Sequence, residues 1–174
     1  MKNGEYKEIT EIGLGKHIND VYFRHMNEIA VIIKKDKIFP QPIAILIKGD
    51  SNFMVPINDM TQEEYATALK KTCRFLGSEA IMIFSEASCW TGTEEEHQFV
   101  IEQMGSIHGH AKAVEILTVF IETQGKSIIG IAEIETKGNK RVIKAMDWVV
   151  RDVEEEDEDE ILFSHFLNKE KETV

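Results

Sequence analysis

The residues best placed to do chemistry cluster in two short stretches, and the first is His108-Gly109-His110. On extended chain, imidazoles at i and i+2 point the same way, as two metal ligands would. A zinc site needs a third donor, for which His97, Glu102 and Glu115 are the candidates. None of them stands at a recognised spacing such as H-E-x-x-H. A polar loop between a helix and a strand accounts for the pair with fewer demands. No zinc and no other cofactor is therefore expected, and the pair is kept for one alternative, a metal-dependent hydrolase. The second stretch holds Glu86, Cys89 and Trp90, with His97 a little further on. A carboxylate, a thiol and an indole just past a buried strand would line a small-molecule site, because loops after strands are held by a rigid scaffold. Three acids in a row, Glu94, Glu95 and Glu96, oppose thiolate formation at Cys89. Glu86, Cys89, Trp90 and His97 are thus expected to bind a ligand rather than to catalyse.

The elements that would position these groups can be read from pattern. Ile18, Val21, Tyr22, Met26, Ile29, Ile32 and Ile33 keep the spacing of an amphipathic helix over about 19–35. Gly13-Leu14-Gly15-Lys16 lacks the spacing and hydroxyl of a phosphate loop and reads as a lead-in, with Asn19 or Asp20 as cap. Residues 43–48 and 52–57 flank Gly49-Asp50-Ser51 as a hairpin. Thr61-Gln62-Glu63-Glu64 is a capping box that opens a helix ending at Gly77. Residues 80–84 form an apolar strand, and Thr93-Glu94-Glu95-Glu96 is a second capping box, for a short helix to about Met104. Three strands follow over 113–123, 127–136 and 141–150, joined by glycine turns. The sum is an α+β fold: a largely antiparallel sheet of about six strands with two to three helices, mainly on one face. Both faces of the 113–123 strand are apolar, so the uncovered face should meet a second copy through 114–121 and 142–150, or else the chain's own terminal segments.

Charge bounds the partners. The chain has 174 residues, 43 % of them hydrophobic, and a net charge of −11. Seven of those negative charges form one run at 154–160, which leaves −4 for the rest. No basic footprint for nucleic acid or for an anionic membrane is present. The longest apolar runs are too short to span a bilayer. Residues 1–153 read as one domain, and 154–174 as an acidic segment with an apolar patch at 161–167. The N-terminus lacks the apolar core of a secretory signal, so the expected home is the cytoplasm, with Cys73 and Cys89 as free thiols.

From Ala80 to about Glu135 the chain resembles small bacterial and phage proteins of unknown function. In these a buried strand ends in a Ser-Glu-Ala step with a nearby Trp, and a hairpin of apolar strands follows. Here the strand is Ile81-Met82-Ile83-Phe84-Ser85-Glu86-Ala87, the indole is Trp90, and the apolar strand spans 114–121. Ser88 and Cys89 separate Ala87 from Trp90, where the pattern has the two adjacent. The resemblance implies no activity.

The expectation that follows is a non-enzymatic binding or interaction protein, assembled as a homo-oligomer. Besides the hydrolase, the other alternative is an acidic inhibitor of a nucleic-acid-handling protein, meeting its protein partner through 154–160.

Overall fold

The computed structural model describes residues 8–35, 42–55, 57, 59–153 and 163–167. The acidic run at 154–160 lies outside the described residues. A single 3-10 turn, Ile9–Glu11, precedes helix α1, Lys16–Lys34. Gly15, rather than Asn19 or Asp20, occupies the N-cap of α1. Just before the expected lead-in, Ile9 and Ile12 are both buried in the core. Strands β1 (Ile43–Lys48) and β2 (Ser51–Val55) form the expected hairpin. Helix α2 spans Gln62–Leu76. Its capping box is complete: the Glu64 amide donates to Thr61 Oγ1 at 3.2 Å, and the Thr61 amide donates to Glu64 Oε2 at 3.1 Å. Gly77 ends it at φ 64°, a left-handed conformation that glycine adopts without strain. Strand β3 (Ala80–Trp90), helix α3 (Glu94–Met104) and strands β4 (Ala113–Thr123), β5 (Lys126–Lys137), β6 (Lys140–Ile143) and β7 (Asp147–Asp152) complete the described elements.

The seven strands make one antiparallel sheet in the order β2-β1-β3-β4-β5-β6, with β7 also on β5. The α+β class and the antiparallel sheet are as expected. The strand expected over 141–150 is broken in two. Ile134 faces Ile143 and Ile131 faces Asp147, so residues 144–146 stand against only Ala132 and Glu133. One extra residue on one strand is a β-bulge, which bends the sheet and increases its twist. Just past it Gly130 faces Trp148, and a Cβ on that glycine would sit 2.7 Å from the indole ring. The ring fits there because the residue beneath it has no side chain.

The helices are not gathered on one face. Along β1, Ile45 and Ile47 point to a core shared with α1, while Ala44 and Leu46 point to a core shared with α2. Period-two alternation makes these opposite sides of the sheet. The α1 side takes Met82, Phe84, Leu117, Val119, Ile121, Ile128 and Trp148. The α2 side takes Ile81 and Ile83, and its remainder is closed by Phe166 and Leu167. Each large apolar side chain fully buried in this way contributes about 1.5–3 kcal/mol of gross transfer free energy. Much of the apolar surface that led to an expected dimer seam is thus covered within one chain, with Trp148 only 1 % exposed, while Ile131 on β5 and Val142 on β6 stay 44 % and 42 % exposed.

A buried acid fastens the closing segment. Glu122 is 1 % exposed at the end of β4, where an unsatisfied carboxylate would be costly. Its Oε2 accepts the amides of Phe166 at 2.9 Å and Leu167 at 3.0 Å. Arg74 on α2 donates to the His165 carbonyl at 2.9 Å. The Phe166 ring packs on Phe120 at 5.6 Å between centroids, and Phe163 meets Tyr65 edge-on at 5.8 Å. Burial pushes the nearby Cys73 thiol up to about 12, so it stays protonated.

Candidate functional site

Strand β3 does not stop at residue 84. It runs to Trp90 because ten of its residues, from Ile81 onward, pair in unbroken register with β4. Glu86, Cys89 and Trp90 therefore sit on a strand, not on a loop past one. Alternation then divides them. Glu86, Ser88 and Trp90 share the α1 side with Met82 and Phe84, whereas Cys89 falls on the other side and is exposed. The carboxylate and indole are brought to one face, and the thiol is not brought to them.

Along that face the polar side chains form successive rungs. Glu86 makes a buried ion pair with Arg141 of β6. Two strands separate β3 from β6, so the pair forms because the sheet curls over α1. On the next rung Ser88 faces Glu115 of β4. Ser88 Oγ lies 2.9 Å from both Glu115 oxygens. His108 Nδ1 lies 3.3 Å from Ser88 Oγ and 3.2 Å from Glu115 Oε1. On the last rung Trp90 donates its indole N–H to the Thr93 carbonyl at 2.8 Å. Its ring lies between His97, at 5.6 Å, and His110, at 5.0 Å. Lys112 and Glu96 make an ion pair beside it. The Lys112 hydrogen bond, first among several causes, holds the Glu96 carboxyl below the usual range.

The two histidines of the His-Gly-His stretch diverge. Residues 108–112 turn rather than run extended, and Gly109 has φ 78°. His108 goes to Ser88 and Glu115, while His110 Nδ1 accepts the Lys112 amide at 3.1 Å and its ring goes to Trp90. The alternation argument for a ligand pair fails because it requires extended chain. Among the described residues no three His, Cys, Asp or Glu side chains converge as a metal donor set. Ser88, His108 and Glu115 also lack the order of a nucleophile relay. Both contacts of His108 are made at Nδ1, whereas a relay takes the hydroxyl proton at one ring nitrogen and is held by the acid at the other.

No protein-family model, curated protein or solved structure matches this chain. No helix among the described residues is long and apolar enough to cross a membrane.

Motif reading missed three participants. Ser88 and Arg141 are single residues whose roles appear only through strand register and sheet curl. Glu122 did leave a trace: it continues the alternation Ile116, Thr118, Phe120 on an otherwise apolar face.

The outer surfaces of α2 and α3 carry a different kind of feature. On α2, Lys71, Arg74 and Phe75 stand at i, i+3 and i+4, opposite the buried Tyr65, Leu69 and Cys73. Phe75 is 89 % exposed. On α3, Glu95, Phe99 and Glu102 stand at i, i+4 and i+7, away from Val100, the one buried residue of that helix. Phe99 is 64 % exposed.

Proposed function

We propose that this chain is a non-enzymatic interaction protein that meets other proteins through the outer faces of α2 and α3. The observation that carries the reading is the exposure of Phe75 and Phe99 on the outer faces of their helices, while the buried core on each side of the sheet is already closed by α1, α2 and the terminal residues. The two phenyl rings most exposed on the described helices, each flanked by charge, have the make-up of contact anchors in a polar rim. The rungs from Glu86 to Trp90 fit this reading as the hydrogen-bonded end of the sheet, since their side chains engage one another. The test is a photo-crosslinking residue placed at Phe75 or Phe99 in the full chain, expressed in cells. Discrete protein adducts at both positions, absent at the exposed turn residue Asp50, are expected. Equal labelling at all three positions, or none at any, would contradict the reading.

A further inference from the structure

The two outer stripes are complementary to each other. The α2 stripe sets Phe75 beside Lys71 and Arg74, and the exposed Lys48 ammonium approaches the α2 C-terminus at Gly77. The α3 stripe sets Phe99 between Glu95 and Glu102, and α3 contains no lysine or arginine. Each stripe is an exposed phenyl ring rimmed by one sign of charge. Such a surface repels a copy of itself and attracts its opposite. The opposite is supplied by the same chain.

We infer that α2 of one copy docks on α3 of a second copy, and α3 of the first on α2 of the second. This rests on the interaction reading above and names its partner: another molecule of this chain. A two-fold arrangement uses each stripe once per copy and makes every contact twice. Phe75 then packs against Phe99 of the partner subunit, and the acids and bases around the two rings interleave. The seam lies on helix surfaces, so the sheet takes no part in it.

Charge exchange tests the pairing. In one full-length variant Thr67→Glu and Lys71→Glu reverse the α2 stripe; Arg74 is kept because it holds His165. In the other, Glu95→Gln and Glu102→Lys reverse the α3 stripe without placing a lysine in the first helical turn. All four positions are exposed, so at concentrations too dilute for association both variants should unfold at the wild-type urea concentration. Light scattering across a concentration series should show the wild type at twice the chain mass. Each variant alone should dissociate about tenfold or more readily, and an equimolar mixture should recover the dimer, because both contacts are again opposite in sign. A wild type that stays monomeric, a dimer indifferent to both variants, an open-ended series of masses, or a mixture that stays monomeric would overturn the pairing. A monomer that still gives protein adducts from Phe99 in cells would overturn the pairing alone, whereas loss of both results would also remove the interaction reading.

Discussion

Glu122 shows how one side chain can hold a segment distant in sequence. Burial pushes its carboxyl above the ordinary range, while the amides of Leu167 and Phe166 pull the other way. In the unfolded chain the group titrates near 4.5. A folded value above that means the folded chain keeps its proton longer. Its contribution is complete below 4.5 and is lost as pH rises through the raised folded value. Glu122→Gln cannot ionise. The stability of the wild type minus that of Glu122→Gln, from urea unfolding, should therefore fall as pH rises from 4.5 and level off above the folded value. A difference that is flat, or that rises with pH, would contradict this. The candidate site was legible at this scale only in part. Residue types flagged Glu86, Trp90, His97, His108 and His110, and the structure brings His97 and His110 to Trp90. Which side each faced depended on the length of β3, and one misjudged strand end moved Cys89 across the sheet.

Element boundaries were most legible where local hydrogen bonds set them. Thr61 and Thr93 both cap their helices, but only the first box is reciprocal: Thr93 accepts the Glu96 amide, while the Glu96 carboxylate pairs with Lys112. Their consequences should differ, because the helices differ in what they bury. α2 places Tyr65, Ala66, Leu69 and Cys73 in the core, so weakening its start weakens the whole fold. Thr61→Ala should lower global stability by about 1 kcal/mol in urea unfolding. α3 buries Val100 alone and is too short to stand without support, so Thr93→Ala should fray that helix and leave the global midpoint nearly unmoved. Equal losses for the two variants would contradict this division. The end of β3 was missed because Ser85 to Cys89 lacks apolar character, and register with β4 holds it as strand. The bulge between β6 and β7 was missed because an added residue leaves no mark in composition.

For the whole molecule, the α+β class and the antiparallel sheet followed from hairpin turns and caps. The covering of the sheet did not. Periodicity reveals that both faces of β4 are apolar, but not which element closes each face. The alternatives were a second copy and the terminal segments. The structure places Ile9 and Ile12 against one face, and Phe166 and Leu167 against the other. The central claim is therefore that the core on both sides of the sheet is closed within one chain and that contact with other molecules is made by the outer faces of α2 and α3. Hydrogen exchange on the full chain, read by mass spectrometry from dilute to concentrated solution, tests this most directly. Peptides from β4, β5 and β7 should be protected to the same degree at every concentration, while those covering α3 and the C-terminal half of α2 should gain protection as concentration rises. Protection of β4 or β7 that appears only at high concentration, with α2 and α3 unchanged, would contradict it.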